Sequence, residues 1–223
     1  MPASVRGLIA AAVAAGVPAG LIYAAATLTL ASPLLFQAEA FEMGGAVDHG
    51  AARALWTVIG SVALATAMAL ILTPVLHASG APTLRQGGAV AALGFVGLIL
   101  IPGVLMAPVP PGVAHHASVA VRQGNWLAAG IGFVLFCVLA SMVCRPLWRR
   151  RDVRLVTLAL AALAMAALGV LYWNGGLDIG GTPDGPVPEA LVARFRHVVS
   201  VCNVLLFAAL ALLMPLALRR LAR

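Results

Sequence analysis

Apolar runs of about 20 residues, separated by short polar breaks, recur from one end of this chain to the other. At a helical rise of 1.5 Å per residue, a run of that length crosses a hydrocarbon core of roughly 30 Å. Six such runs can be read, at residues 7 to 36, 55 to 76, 88 to 107, 126 to 144, 155 to 173 and 198 to 218. The chain as a whole has too few polar residues to coat a soluble globule: 62% of residues are hydrophobic and 9% are charged, with a mean hydropathy of +1.04. The predicted fold is an all-α integral membrane protein, one polytopic domain over residues 1–223.

The first run begins after Arg6 and passes Ala24-Ala25-Ala26, which superficially resembles a secretory signal with a small-residue cleavage site. It continues apolar to Phe36, well beyond the usual 7 to 15 residues of a signal core, so we expect a retained first helix. Within it, Gly16-Val17-Pro18-Ala19-Gly20 combines a small-xxx-small pair with a proline, a pattern suited to close helix packing and to a kink.

The net charge of +7 arises from fourteen Arg, no Lys and seven acids. A basic soluble domain would suggest nucleic acid, but these Arg sit singly or in short clusters between apolar runs, where they meet lipid head groups and set orientation. Arg6, Arg85, Arg145, Arg149, Arg150, Arg151, Arg154, Arg219, Arg220 and Arg223 share one set of connections with a single acid, Asp152. Arg53, Arg122, Arg194 and Arg196 share the other with Glu39, Glu42, Asp48, Asp178, Asp184 and Glu189. The positive-inside rule puts the first set, and both termini, in the cytoplasm. Three helical hairpins follow, with three outward loops. The short segments before the fourth and sixth runs, at Ser118 to Arg122 and Leu191 to Arg196, read equally well as interfacial helices or as polar starts of those spans.

No Asp, Glu, Arg or Lys lies within the hydrocarbon part of any run. A buried carboxylate relay of the kind that couples protons in a secondary transporter is therefore missing. Chemistry concentrates in the outward loops instead. Glu39 and Glu42 are three residues apart, so a helix continuing past the membrane would present both on one face. Asp48-His49 follows, and the second outward loop carries His115-His116. Carboxylate and imidazole together suit a divalent ion such as Co, Ni, Zn or Mn better than Cu(I). The alternative is a solvated acidic loop with only a topological role. His115 and His116, being adjacent, are poorly set to chelate one ion as a rigid pair, although either could join a site built on the first loop. His197, at the mouth of the last run, could do so too, or be a plain interfacial histidine.

Cys137, Cys144 and Cys202 lie inside apolar runs without CxxC or zinc-site spacing, and read as packing residues. The sequence has no G-x-S-x-G, HExxH or phosphate loop, so it does not read as an enzyme. Its outer histidines are also poorly placed for an intramembrane haem.

Several short segments resemble a known family. They are Pro33-Leu34-Leu35-Phe36-Gln37-Ala38-Glu39-Ala40-Phe41-Glu42, Gly94-Phe95 running into Pro102-Gly103 and Ala107-Pro108, Arg122-Gln123 before Trp126, and Pro188-Glu189-Ala190-Leu191 with Ala193-Arg194-Phe195. Their order is similar to that of the CbtA family of predicted cobalt transporter subunits, over nearly the whole chain. The resemblance implies a multi-pass protein of the bacterial inner membrane that admits cobalt for corrinoid synthesis, often beside a small single-span partner with a His-rich end. It places a role on Glu39 and Glu42. Many members carry a His-rich insertion in the first outward loop, and here only Asp48-His49 stands there. That departure moves metal capture to the partner, or points to another cation. The expectation is a divalent-metal uptake subunit with ligands Glu39, Glu42, His49, His115 and His116, in contact with membrane lipid, holding no tightly bound cofactor and binding no nucleic acid. A membrane scaffold or assembly factor that does not transport is the alternative.

Overall fold

Without water to satisfy N–H and C=O groups, an apolar run must pair its backbone internally, and helix does this within one segment. In a computed structural model, which describes residues 4–43, 50–80, 82–113, 118–147, 151–174, 176–177 and 185–221, the chain is helical and no strand occurs among the described residues. The helices are α1 (Val5–Ala26), α2 (Ser32–Met43), α3 (Ala51–Ala78), α4 (Leu84–Phe95), α5 (Ile101–Leu105), α6 (Val119–Leu147), α7 (Arg151–Trp173) and α8 (Glu189–Leu221). A π-helical turn at Thr27–Ala31 joins α1 to α2, and another at Val96–Leu100 joins α4 to α5.

Five stretches of described residues are long and apolar enough to cross a membrane: Val5–Phe41, Ala51–Ala78, Leu84–Leu105, Val119–Cys137 and Glu189–Leu221. The remaining run, 155 to 173, falls on α7, whose Leu163–Trp173 portion is a shorter apolar helix. The segments before the fourth and sixth runs turn out to be polar starts of the spans themselves, since α6 begins at Val119 and α8 at Glu189 without a break.

Both π turns precede a proline at the second position of the next helix, Pro33 in α2 and Pro102 in α5. A proline lacks the N–H that would bond four residues back, and its ring clashes with that carbonyl. The residues four back, Thr29 and Leu98, lie in the π turns, where the extra residue relieves the clash. Hydroxyls take up part of the loosened backbone: Thr29 donates to the Ala25 carbonyl at 2.7 Å and Ser32 to the Thr27 carbonyl at 3.2 Å. The helix remains α-helical through Pro18, so the irregular turn falls later than the proline that suggested a kink.

The helices form two compact units. The first contains α1, α2, α3, α4 and α8. Its core is a small-residue seam between α1 and α3. A Cβ added at Gly16 would stand 2.5 Å from the Thr66 Cα, and one at Gly20 2.5 Å from the Val62 Cα. Buried Ala12, Ala15 and Ala19 on α1 and Ala65 and Ala69 on α3 continue the same strip. In lipid, where apolar surface alone does not drive helices together, such close backbone approach supplies the association through van der Waals contact. Along α8, Cys202, Leu206, Phe207, Leu210 and Met214 are buried, and the helix packs along α1 and α4. The Phe207 ring meets Phe95 edge-on at 5.6 Å between centroids. A reciprocal capping box starts α4: the Gln86 N–H donates to Thr83 Oγ1 at 3.2 Å, and the Thr83 N–H donates to Gln86 Oε1 at 3.1 Å.

The second unit contains the Val96–Leu100 turn, α5, α6 and α7. Gly97 lies directly against the Phe133 ring and Gly103 against the Tyr172 ring, so α5 and the turn before it pack closely on α6 and α7. After α7, Gly176 takes a φ of +72° and the next N–H, of Leu177, donates to the Val104 carbonyl at 2.6 Å.

Candidate functional site

The first helical stretch continues past its apolar part, and α2 carries both Glu39 and Glu42, at the i and i+3 positions that favour one face. Glu39 is held firmly. Its two carboxylate oxygens accept from the two terminal guanidinium nitrogens of Arg53, in the first turn of α3, in a fork-to-fork pair whose Nη1 to Oε2 distance is 2.6 Å and whose second contact joins Nη2 to Oε1. The Glu39 side chain is 12% exposed and that of Arg53 34%. The Arg53 guanidinium also lies 4.9 Å from the centre of the Phe36 ring, one turn before Glu39 on α2. Phe36 and Glu39 thus grip one cation from the same helix face. A bidentate pair this enclosed is screened far less than an exposed one, and it leaves neither Glu39 oxygen idle.

The Glu42 side chain, and His49, His115 and His116 in full, lie outside the described residues. His197 is half-buried in the first turns of α8, and His77 is in the last turn of α3. Among the described residues, no group of three or more His, Cys, Asp or Glu side chains gathers as a metal would require. Cys202 is buried with Ala26 and Ala31, the packing role its surroundings in the sequence predict.

Sequence reasoning counted Arg53 only as an outward-loop charge. Its pairing with Glu39 spans fourteen residues and depends on how α2 and α3 meet, which spacing alone does not disclose. Three buried hydroxyls in the first unit also went unnoticed: Thr27 Oγ1, Thr66 Oγ1 and Thr73 Oγ1 have no hydrogen-bond partner among the described residues. They are neutral oxygens inside a span. They could solvate a passing ion in part, but neutral oxygens alone cannot offset the charge of a dehydrated divalent cation.

The long apolar helices, tight small-residue packing and charged grip at a helix end define a multi-pass helical membrane protein. A family model described as "Probable cobalt transporter subunit (CbtA)" matches residues 5–219, nearly the whole chain, and the chain belongs to that family. No curated protein and no solved structure gives a match.

Proposed function

We propose that the chain is the ion-conducting subunit for uptake of a divalent metal cation, cobalt, across a bacterial inner membrane. Its outer ligands on this reading are Glu39, Glu42, His49, His115 and His116, and it works beside a small single-span partner with a His-rich end. The family match over residues 5–219 carries the reading, since that family is described as a cobalt transporter subunit. The Glu39 site adds a physical mechanism. Arg53 occupies the carboxylate as a tethered cation, so an arriving metal exchanges with a charge already in place rather than entering an empty, tightly binding cage. Exchange of that sort keeps occupancy brief, and an ion that must leave again needs weak sites. The spans hold no ionisable relay, so the inward drive on this reading is the membrane potential, about 2.3 kcal/mol per charge per 100 mV.

Initial cobalt uptake into liposomes containing the purified chain, with and without a His-tailed single-span partner, tests the proposal. Uptake should fall as the external pH drops through about 6, because an imidazole ligand with a reference pKa near 6.5 binds metal only when neutral. Liposomes that take up no cobalt under either condition, while the chain still retains a partner protein, would support a scaffold instead.

The orientation on this reading has both termini in the cytoplasm and the loop containing His115 outside. Gly112 has a φ of +79°, which a cysteine would tolerate poorly, so Val113 is the better labelling position. In a chain whose native cysteines are replaced, Val113→Cys should react with a membrane-impermeant thiol reagent in intact cells. Labelling only after permeabilisation would reverse the orientation.

A further inference from the structure

The two π turns belong to a longer likeness between two parts of the chain. Thr27 and Val96, which open the turns, Pro33 and Pro102, which follow them, and Arg53 and Arg122, near the starts of α3 and α6, are each 69 residues apart. Ala38 and Ala107 stand at the same interval, and both are buried. One structural element therefore occurs twice, over 27–53 and 96–122: a π turn, a proline, and a return helix that begins near an arginine.

The two elements diverge after the proline. In the first, α2 continues to Met43 and brings Glu39 to Arg53. In the second, α5 stops at Leu105 and Met106 is extended, because Pro108, Pro110 and Pro111 cannot carry a helix on. Pro108 stands where the 69-residue interval puts the counterpart of Glu39. Arg122 thus lacks the carboxylate that Arg53 has. It is half-buried and borders a cavity of about 350 Å³, walled by Met106 and Pro108 on one side and by Gln123 and Trp126 on the other. No ion pair or side-chain hydrogen bond reaches its guanidinium from the described residues.

The first element names the missing group. There the corresponding guanidinium is held by both oxygens of a carboxylate, with the Phe36 ring beside it. In the second, the aromatic residue at the cavity is Trp126, one turn beyond Arg122, and the carboxylate is what is missing. The fork of guanidinium N–H groups matches a planar carboxylate in two parallel bonds, whereas a metal cation would be repelled. No Asp or Glu occurs among the described side chains of the second unit. The family to which the chain belongs is described as a subunit, so other polypeptides are available to supply one.

We propose that this cavity receives an Asp or Glu side chain of a partner polypeptide, whose carboxylate forks on Arg122 as Glu39 does on Arg53. The contact rests on the presence of a partner, as the function proposed above does, but it needs neither cobalt nor the outer ligands.

The chain contains no lysine, so Arg122→Lys adds an amine where otherwise only the N-terminus offers one. A carbodiimide converts an amine and a carboxylate in direct contact into an amide. In membranes of the native host, Arg122→Lys should give an amide between position 122 and an Asp or Glu of a second polypeptide, located by peptide mass spectrometry. Arg53→Lys is the positive control and should join Glu39. Adding Pro108→Glu to Arg122→Lys should redirect the link to position 108 and lower the link to the second polypeptide about tenfold, since the chain's own carboxylate then competes for the site. Arg220→Lys should not form that link. The same competition can be read with Arg122 intact, should Arg122→Lys fail to fold. Pro108→Glu should then retain about tenfold less of the second polypeptide on purification than Pro108→Gln, and the purified chain should melt about 2–4 °C higher, a shift on the scale of one ion pair in a chain of this size. A link from position 122 to Asp178, Asp184 or another acid of this chain would overturn the proposal. So would no link where Arg53→Lys joins Glu39, a link undiminished by Pro108→Glu, or equal retention by the two Pro108 variants. Cobalt uptake enters none of these readings, so loss of the metal reading leaves them standing.

Discussion

Gly20→Ala should lower the melting temperature of the purified protein, while Gly60→Ala, in the helix it packs against, should leave it unchanged or raise it slightly. Both substitutions add one methyl group to a helix, and both gain up to about 1 kcal/mol of intrinsic helix propensity. They differ in what the methyl meets. At Gly60 nothing among the described residues lies within 4 Å. At Gly20 the new Cβ would stand 2.5 Å from the Val62 Cα and 3.1 Å from the Ser61 carbonyl oxygen. These are backbone atoms, which no rotamer change can move aside, so α1 and α3 must separate. Separation then loosens the whole strip of alanines along the seam, where van der Waals contact does most of the work of association in lipid. Overpacking typically costs about 1–3 kcal/mol, and a rigid neighbour puts Gly20→Ala at the upper end of that range or above it. Gly16→Ala should behave the same way, since its Cβ would stand 2.5 Å from the Thr66 Cα. Circular dichroism melts in detergent would decide the matter, and equal melting of the Gly20 and Gly60 variants would mean that the seam is not what holds α1 on α3.

The same seam shows which parts of the molecule could be read from sequence. Five of the six expected spans were legible because length and hydropathy are one-dimensional properties, and Gly16 and Gly20 announced close packing by their spacing. Helix ends were less so. The sixth run was placed at 198 to 218, but α8 runs from Glu189 to Leu221, because a helix can continue into water once its apolar part is anchored. The π turns leave no trace in hydropathy, although Pro33 and Pro102 mark where a helix must give way. Of the proposed ligands, the helical placement of Glu39 and Glu42 was legible as a condition on α2, and α2 meets it. The partner of Glu39 was not, since Arg53 reaches it only because α1 and α3 lie close enough to bring α2 and the start of α3 together. A cavity walled by Met106 and Pro108 on one side and Arg122 and Trp126 on the other was hidden for a related reason: its two walls are short segments whose meeting is a matter of packing on either side of a loop.

Replacing Glu39 and Glu42 together by Gln should reduce initial cobalt uptake at least tenfold, whereas replacing Asp178 and Asp184 by Asn should leave most of it. Tenfold corresponds to about 1.4 kcal/mol, a modest share of what a charged oxygen ligand contributes to a divalent ion. Both double variants remove two negative charges, so a general attraction of cations to the surface would weaken equally in each. Such attraction acts over a Debye length of roughly 8 Å at physiological salt and fades as salt is added, whereas ligation does not. Arg53 supplies the sharper comparison. Its guanidinium holds both Glu39 oxygens, so a cobalt ion that uses this carboxylate must first displace it. Arg53→Gln removes the competitor and should tighten equilibrium cobalt binding to the purified protein by about tenfold, on the scale of one charge-assisted pair. It should also slow uptake, because an ion bound more firmly leaves more slowly. Tighter binding with slower transport is not what loss of a structural clamp produces. If the pair only fastens α2 to α3, Arg53→Gln and Glu39→Gln should destabilise the protein alike, since each breaks the same fork-to-fork contact. Cobalt affinity per folded molecule would then stay constant. Equilibrium dialysis with cobalt, melting curves and liposome uptake on the same preparations distinguish the two. Unchanged cobalt affinity in Arg53→Gln, together with matching loss of stability in the two single variants, would make Glu39 a clamp and leave any metal site to residues beyond it.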